Sequence, residues 1–473
     1  MTGSWRRTFW LCAGLFALAL AVSATALPDA RFVWDDLYVI ENNPAITDMA
    51  NIPSFFTTSW AQGTNSAKGQ SKNVSFYRPI AQTMYTVQFA AWGANPTLFR
   101  LSNGMLHGGV TVMVLLFLMA LGLPARAAGI GAALFAVHPV HTEVINVVSY
   151  GTTLLVIFFY LSALAGHLRW NGDSLLCNLL VPALALLALL SKESGATLPL
   201  ALVVLDVTTG RRISPGYALR RYLPTLIVLG VYLWVRAGIV SPAPGAAFAG
   251  MGKHVVLFTM LKVVLLYARV LTLPWPLCAY YDPTILTPTD SPFEWAVAGG
   301  LAVIAVWAGV TWYVWRKQRR LAGLMLLIPL GLAPYLHLVP FRVLAGERFL
   351  YLSSAFFCGL VGYGLWQLGT ARWKKPAMAT AVALVVIFAG LSIQRNRDWK
   401  DNTAIMSAKV RDFPNSFDGQ FSLGQHLLVN QQDPAAALPH LQQAVKIWPG
   451  FAPARQALER ARSLLSSSHQ KTR

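Results

Sequence analysis

Two adjacent carboxylates, Asp35 and Asp36, directly follow an N-terminal apolar run that is long enough to cross a bilayer. Charged groups near hydrocarbon are costly and tend to be functional. Neighbouring carboxylates repel each other, which raises the pKa of one of them towards a value useful for proton transfer. The pair is therefore a candidate catalytic base. A solvated loop start with an aspartate cap is the alternative that the local sequence leaves open.

A histidine-containing stretch lies further along the chain, with His138, His141 and Glu143 close together. The spacing differs from that of HExxH zinc sites, and Pro139 argues against a regular helix between the two histidines. We therefore expect no metal there. The histidines instead suit hydrogen bonds to phosphate oxygens or to a substrate hydroxyl, with ordinary structural contacts as the alternative.

Two further places put a cation beside a carboxylate at a predicted membrane boundary, namely Lys192 beside Glu193 and Arg348 beside Glu347. Each is either a salt bridge at the interface or part of a phosphate site, because charge-assisted contacts to phosphate are strong where water is partly excluded. Arg78 is a third candidate cation for such a site. The sequence contains no Walker loop, Rossmann turn or Ser-His-Asp spacing, which argues against nucleotide-driven chemistry.

The composition is that of an integral membrane protein. Of the 473 residues, 55% are hydrophobic and 12% are charged, with a mean hydropathy of +0.50, whereas soluble domains carry about 25% charged residues. The formal net charge of +19 comes from short basic clusters between apolar runs. This distribution is typical of cytoplasmic loops and lipid headgroup contacts, and we expect no nucleic-acid partner. The four cysteines are scattered and indicate neither disulfides nor a metal site.

About eleven apolar runs approach the length of a membrane crossing, so we predict an all-α, polytopic membrane protein. The first run, to about Leu27, is predicted to be an uncleaved signal anchor, with a cleaved signal peptide as the alternative. If Arg6 and Arg7 are cytoplasmic, five later basic clusters fall on the same side. This holds only if the segment 254–274 stays at the outer interface. The polar stretches described above then meet on the outer face.

The predicted organisation has four parts. Residues 1–27 form the first span, 28–97 a first outer loop, 98–394 the multi-span domain and 395–473 a helical domain on the outer face. The outer loop is predicted to contain an interfacial helix that begins at Tyr77-Arg78-Pro79, because proline suits the first turn of a helix.

The C-terminal region has the composition of a soluble helical segment. Its small and apolar residues have the spacing of a tetratricopeptide repeat, carried by Leu423, Gly424, Leu427, Ala437, Leu441, Ala444 and Pro449. An ordinary helical hairpin is the alternative. Because fewer than three such repeats rarely stand alone, we expect the unit to lean on the membrane domain or on a partner.

Taken in order, six short motifs resemble those of one known family. They are Trp34-Asp35-Asp36, Tyr77-Arg78-Pro79, His138-Pro139-Val140-His141-Thr142-Glu143, Ser191-Lys192-Glu193, Glu347-Arg348-Phe349-Leu350-Tyr351-Leu352 and Arg395-Asn396-Arg397-Asp398-Trp399-Lys400. With the repeat unit that follows, nearly the whole chain resembles the transmembrane and tetratricopeptide-repeat protein O-mannosyltransferases and their bacterial relatives, of the glycosyltransferase C superfamily. The short repeat array and compact N-terminus favour a bacterial inner-membrane protein with its site on the periplasmic face.

The resemblance implies an inverting transfer of a mannose-like hexose from a polyprenyl-phosphate donor to a hydroxyl acceptor, on a protein or peptide, at the periplasmic or lumenal face. An acidic residue of the first outer loop is the catalytic base in that superfamily, which maps onto Asp35 or Asp36. Cations would stabilise the departing phosphate, and the scheme requires no metal or cofactor besides the lipid-linked donor. The candidate substrate-binding residues are Arg78, His138, His141, Glu143, Lys192, Glu193, Glu347 and Arg348.

The sequence departs from the family pattern at two positions. Where relatives commonly carry an arginine followed two residues later by an acidic residue, this chain has Gly151 and Thr153. The departures and the short repeat array leave a second hypothesis open. In it, the chain is a non-catalytic membrane scaffold that recruits a partner through its tetratricopeptide-like unit.

Overall fold

The computed structural model describes residues 2–60, 76–170, 175–240, 247–338, 341–369 and 373–471. Every regular element within these ranges is a helix, which confirms the predicted all-α class. The α-helices are α1 (Thr2–Ala24), α2 (Pro79–Trp92), α3 (Pro96–Ala120), α4 (Ala125–Val137), α5 (Thr142–Asn146), α6 (Gly151–Arg169), α7 (Leu175–Ser191), α8 (Leu198–Thr209), α9 (Pro215–Arg221), α10 (Leu223–Ile239), α11 (Lys253–Thr272), α12 (Trp295–Lys317), α13 (Arg319–Leu332), α14 (Tyr351–Gly369), α15 (Lys374–Asp398), α16 (Asn402–Asp412), α17 (Phe417–Val429), α18 (Pro434–Ile447) and α19 (Ala452–Lys471).

The helices confirm an integral, multi-pass membrane protein. Seven segments of the described chain are long and apolar enough to cross a bilayer: Trp5–Ala24, Pro96–Ala120, Val148–Arg169, Lys253–Thr272, Trp295–Lys317, Glu347–Gly369 and Lys375–Asp398. The number rises to nine if two bent pairs, Ala125–Val137 with Pro139–Asn146 and Pro215–Arg221 with Leu223–Ile239, each count as one span. The sequence predicted about eleven runs because hydropathy also marks apolar helices that are shorter than a bilayer is thick.

Helix α11 has the length and composition of a membrane span. The charge pattern had placed the overlapping segment 254–274 at the outer interface instead. Lys262 of this helix bonds Glu294 at 2.8 Å, and Arg269 donates to the carbonyl groups of Trp275 and Pro276. Its polar groups are thus satisfied locally, and the interfacial assignment stays a prediction.

The centre of the membrane domain depends on close helix contact between α4 and α14. A Cβ atom added at Gly362 would lie 2.4 Å from the backbone nitrogen of Gly131 and 2.6 Å from the carbonyl oxygen of Ala127. Glycine therefore allows the two backbones to touch, as small residues do in other membrane helix pairs. The contact matters for function because α4 leads into the His138–Glu143 stretch and α14 follows Arg348.

The two ends of the bundle differ in charge. Helix α4 begins beside Arg126 and ends before His138, while α6 begins at Gly151 and ends at Arg169. We call the end that contains His138 and Gly151 the Asp35 end, because Asp35 contacts it. The opposite end, with Arg126 and Arg169, is called the basic end.

The C-terminal helices pack on the Asp35 end. Within the unit, α17 and α18 form a close hairpin in which a Cβ atom at Gly424 would lie 2.8 Å from Leu441 Cγ. The unit is fixed to the loop before α12 by Asp282, which accepts hydrogen bonds from Ser416 at 2.5 Å and lies 3.1 Å from Lys409 Nζ. Burial alone would raise the pKa of Asp282, but Lys409 and the hydroxyl donors hold it below its usual value. The unit therefore leans on the membrane domain, as its short length predicted.

Candidate active site

The two adjacent aspartates have opposite environments. Asp36 is fully buried, and its carboxylate accepts hydrogen bonds from the backbone N–H groups of Val33 at 3.3 Å, Val148 at 3.1 Å and Ser149 at 2.8 Å. Burial raises the pKa of Asp36 to about 6, although these hydrogen bonds act against the shift. Asp36 thus fixes the first loop to the start of α6, and Asp35 remains exposed.

The backbone before Asp35 is held in an unusual conformation. Trp34 has a φ of 51°, in the left-handed region that costs a non-glycine residue about 1 kcal/mol or more. Its N–H group donates to Asn402 Oδ1 at 3.0 Å, and its ring packs edge-on against Trp399 with centroids 5.3 Å apart. The start of the C-terminal unit therefore stabilises the turn that points Asp35 and Asp36 in different directions.

Asp35 lies in a cavity of about 330 Å³ between the membrane domain and the C-terminal unit. The hydroxyl group of Tyr150 donates to its carboxylate at 3.2 Å. The cavity is lined by Trp34, Asp35, Tyr150, Tyr280, Val343, Arg348, Ile405, Met406, Lys409, Asp418, Gly419 and Ser422. An exposed carboxylate and a guanidinium therefore share one space of ligand size.

Arg348 is held in place by Glu143. The Glu143 carboxylate is fully buried and accepts from both the backbone N–H group of Arg348, at 2.7 Å, and its guanidinium. The guanidinium carbon lies 4.7 Å from the centre of the Tyr150 ring. Arg348 donates to Glu143 through Nη1, so the remaining N–H groups of its guanidinium can bind an anionic ligand.

A second cavity, with a volume of only about 10 Å³, lies on the other side of Arg348. Its lining is mostly apolar and consists of Val156, Ile157, Tyr160, Ser194, Tyr335, Arg348, Phe349 and Leu352. Arg348 is the residue that lines both cavities. It therefore lies between the space beside Asp35 and the apolar side chains of the membrane helices.

Lys192 lies close to this narrow cavity. Its side chain is buried, its ammonium group donates to Thr153 Oγ1 at 2.9 Å, and it lies 5.7 Å from the centre of the Tyr335 ring. Burial, together with the positive charges of Arg78 and Arg348, lowers the pKa of Lys192 to about 7. The lysine thus lies in a position where an added negative charge would stabilise its protonated form.

Arg78 and Glu193 form a pair of their own. Two guanidinium nitrogens of Arg78 donate to the two carboxylate oxygens of Glu193, at 3.0 Å and 2.7 Å. Neither residue lines the cavity at Asp35. The pair joins the start of α2 to the loop before α8. Because Glu193 bonds Arg78, Lys192 has a hydroxyl rather than a carboxylate as its hydrogen-bond partner.

The remaining predicted residues lie outside both cavities. His138 Nε2 is 3.1 Å from the carbonyl oxygen of Leu271, and His141 Nε2 is 2.8 Å from Ser354 Oγ; both rings are buried. Glu347 is also fully buried, and neither of its carboxylate oxygens has a hydrogen-bond partner among the described residues. The structure therefore places these three side chains outside the two cavities, and their predicted contact with substrate stays a prediction.

Sequence reasoning missed most of the residues that line the cavity at Asp35, and three of them are large polar side chains beside the carboxylate and guanidinium. They are Tyr150, Tyr280 and Lys409. Tyr280 belongs to a polar stretch between apolar runs, so its position gave a signal. Lys409 gave none, because it lies in a soluble-type helix and reaches the cavity only through docking of the C-terminal unit.

No protein-family model matches the sequence. The mouse protein O-mannosyl-transferase TMTC4 matches at 25% identity over 477 residues, which cover 87% of this chain and 63% of that protein. The human protein O-mannosyl-transferase TMTC3 matches at 24% over 466 residues (88% and 49%), and the Caenorhabditis elegans protein O-mannosyl-transferase F38B6.6 at 24% over 436 residues (88% and 60%). The chain is a relative of the protein O-mannosyl-transferases. It spans about half to two thirds of the length of these curated relatives.

This relationship confirms the resemblance predicted from the ordered motifs, and the structure explains both departures from the O-mannosyl-transferase pattern. A Cβ atom at Gly151 would lie 2.9 Å from Asn103 Oδ1 and from Met84 Cε, so an arginine does not fit there without rearrangement. Thr153 is the hydrogen-bond partner of Lys192. An acidic residue at that position would neutralise the lysine, whereas threonine leaves its charge available.

Proposed function

We propose that this relative of the O-mannosyl-transferases is a membrane glycosyltransferase. It transfers a mannose-like hexose from a polyprenyl-phosphate donor to a hydroxyl group of a protein acceptor, with inversion at the anomeric carbon. The observation that carries the proposal is the shared cavity of Asp35 and Arg348. The names of the curated relatives support a mannosyl donor and a protein acceptor.

Asp35 is the proposed base. Its exposed carboxylate takes the proton of the acceptor hydroxyl while the oxygen attacks the anomeric carbon. The bond between that carbon and the phosphate oxygen breaks, and its electron pair leaves with the polyprenyl phosphate. The single displacement inverts the anomeric configuration. The hydrogen bond from Tyr150 orients the carboxylate towards the cavity.

Arg348 and Lys192 are the proposed phosphate ligands. The guanidinium of Arg348 lies beside the cavity that contains Asp35, and Lys192 lies beyond it, next to Tyr335. Negative charge that develops on the departing phosphate is stabilised by these cations in a site with little water. The scheme needs no metal ion and no cofactor besides the donor.

The apolar cavity behind Arg348 supports a donor with a lipid chain. It lies between α6, the loop before α8 and the start of α14, which are parts of the membrane domain. The cavity, at about 10 Å³, must widen for a polyprenyl chain to reach Arg348 from the bilayer, and the acceptor can approach Asp35 from the C-terminal unit. The basic clusters at the opposite end favour a site on the non-cytoplasmic face, which is the periplasmic face of the bacterial inner membrane that we propose.

The experiment is an assay of the purified full chain with a panel of polyprenyl-phosphate hexoses and a serine- and threonine-containing peptide. Mass spectrometry detects transfer, and anomer-specific glycosidases report inversion. We expect one hexose donor to be consumed by the wild-type protein, and none by Asp35→Asn at the same folded concentration. Full transfer by Asp35→Asn would exclude the proposed base. Absence of any turnover in the wild-type protein would favour the non-catalytic scaffold.

A further inference from the structure

A further cavity of the described chain lies at the basic end, far from Asp35. It has a volume of about 410 Å³, which is within the range of small-ligand sites. Its lining is Gly122, Leu123, Thr208, Thr209, Gly210, Gln318, Arg319, Arg320, Leu321 and Tyr363. Tyr363 lies 12 residues after the start of α14 at Tyr351, which is about 18 Å along the helix axis. The cavity therefore cannot contact a substrate bound at Asp35.

Arginine side chains dominate the polar part of this cavity. Neither Arg319 nor Arg320 forms an ion pair with a carboxylate among the described residues. Arg320 lies directly over Gly122, because a Cβ atom added there would be 2.1 Å from Arg320 Nη1. The absence of a side chain at Gly122 thus allows this guanidinium to lie across the mouth of the cavity.

Asp206, a carboxylate close in sequence to Thr208 and Thr209 of the lining, is already satisfied. Asp206 is fully buried one turn before the end of α8 and accepts from His167 at 2.8 Å, Tyr217 at 2.9 Å and Tyr222 at 2.7 Å. Arg211 adds a longer contact at 3.4 Å. Because these donors occupy both of its oxygens, Asp206 does not neutralise the arginines of the cavity. The cavity therefore offers positive charge to an external anion.

Aromatic residues place the cavity at the depth of the lipid headgroups. Trp312 and Tyr313, in the last turns of α12, have exposed fractions of 62% and 64%. Exposed tryptophan and tyrosine side chains are enriched where a bilayer meets water. Arg316 packs on the Trp312 ring at 4.7 Å, and Arg319 begins the next helix, α13, two residues after α12 ends. The arginines therefore lie at the boundary where phosphate groups of the bilayer are found.

We propose that this cavity binds the phosphate of an anionic glycerophospholipid from the leaflet at the basic end. Two guanidinium groups contact the phosphate oxygens, for which their planar donors are well suited. Thr209 and Tyr363 provide hydroxyl groups for the polar substituent of the phosphate. The site joins the ends of α3, α8 and α13 to α14, so the lipid fixes the basic end of the bundle.

Native mass spectrometry of the full chain tests the proposal, with phosphatidylglycerol as the anionic probe and phosphatidylcholine, which is zwitterionic and has no net charge, as the comparison. We expect the wild-type protein to retain phosphatidylglycerol selectively. The double variant Arg319→Gln/Arg320→Gln should bind it about 30-fold more weakly, since each arginine near a phosphate contributes about fivefold. The matched control is Arg316→Gln/Lys317→Gln, which removes the same charge from residues outside the cavity and should change binding less than about threefold.

A second variant separates a built site from general charge attraction. Gly122→Ala keeps the net charge but puts a methyl group where Arg320 lies, so it should also weaken phosphatidylglycerol binding. Equal loss in the two double variants, or unchanged binding in Gly122→Ala at the same thermal stability, would overturn the proposal. Displacement of the lipid by millimolar inorganic phosphate would show instead that the cavity is a site for a free anion.

Discussion

Asp35 and Asp36 are adjacent in the chain, but one carboxylate faces a cavity and the other is buried against Val148 and Ser149. The buried carboxylate determines where the exposed one points, because it fixes the turn to the start of α6. Structural and chemical roles are thereby divided between two residues of the same type. Only Asp35 is accessible to an acceptor hydroxyl.

This division predicts opposite effects for the same chemical change. Asp35→Asn should lower sugar transfer by about 100-fold or more, because an amide cannot take the proton of the attacking hydroxyl. Its thermal unfolding should match the wild type, since the side chain is exposed. Asp36→Asn should instead destabilise the protein by about 2 kcal/mol, because an amide cannot replace a carboxylate that accepts three N–H donors.

Transfer rates and melting temperatures of the two variants, measured side by side, check this prediction. The variants serve as controls for each other, because both exchange a carboxylate for an amide in the same turn. A large loss of stability in Asp35→Asn, or normal stability with lost transfer in Asp36→Asn, would reverse the assignment of the two roles.

The sequence alone predicted the helical class and the membrane location, because hydropathy depends on local composition. It also singled out Asp35 and Arg348, which share the cavity. It could not distinguish Asp35 from Asp36. That difference depends on the backbone N–H groups of Val148 and Ser149, more than a hundred positions away in the chain.

The roles of the histidines and of Glu143 were also beyond the sequence. All three had been predicted to contact substrate, and the pattern contained no information on which side chains the fold would bury. Glu143 contacts Arg348, 205 residues later, and so positions a cation, while its predicted contact with substrate stays a prediction. The motif of polar residues therefore indicated where the site lies, but it did not indicate what each of its residues does there.

Lys192 should make donor binding depend on pH. Its pKa is lowered to about 7, and its protonated form is the one that binds a phosphate. Donor affinity should therefore be highest below pH 7 and should fall about tenfold per pH unit above it.

The same pKa makes the stability of the donor-free protein depend on pH. At Lys192, the unfolded chain binds more protons than the folded one between pH 7 and the ordinary lysine pKa of about 10.4. The donor-free protein should accordingly become more stable as the pH rises through that window.

Binding of a polyprenyl-phosphate sugar to Lys192→Met, measured from pH 6 to pH 9, tests this expectation. The variant should bind the donor weakly with little pH dependence, and its unfolding should lose the stability change above pH 7. Lys400→Met is the matched control, because Lys400 is 48% exposed in a surface pair with Asp29. An unchanged pH profile in Lys192→Met would assign the titration to another group.

Variants of the ion pair between Glu143 and Arg348 should change the stability of the protein and its transfer activity in different ways. Removal of one partner leaves an uncompensated buried charge, so Glu143→Leu and Arg348→Met should each destabilise the protein by about 3 kcal/mol. The double variant leaves no such charge and should be more stable than the sum of the two single effects predicts. Transfer should stay absent, because Arg348 is also the proposed phosphate ligand. The prediction fails if the double variant loses as much stability as the two single variants together, or if it still transfers sugar.

The glycine contact between α4 and α14 should control the geometry of that ion pair from within the bilayer. Gly362→Ala puts a methyl group 2.4 Å from the backbone nitrogen of Gly131, and no side-chain rotation relieves a clash with backbone. The helices must separate, which we expect to cost about 3 kcal/mol. Because α4 leads to Glu143 and α14 follows Arg348, the separation should also reduce transfer in the protein that remains folded. Gly364→Ala is the matched control, since a Cβ atom there meets nothing within 4 Å. Both variants are measured for thermal unfolding and for sugar transfer per folded molecule. If Gly362→Ala loses stability but keeps normal transfer, the helix contact does not control the ion pair.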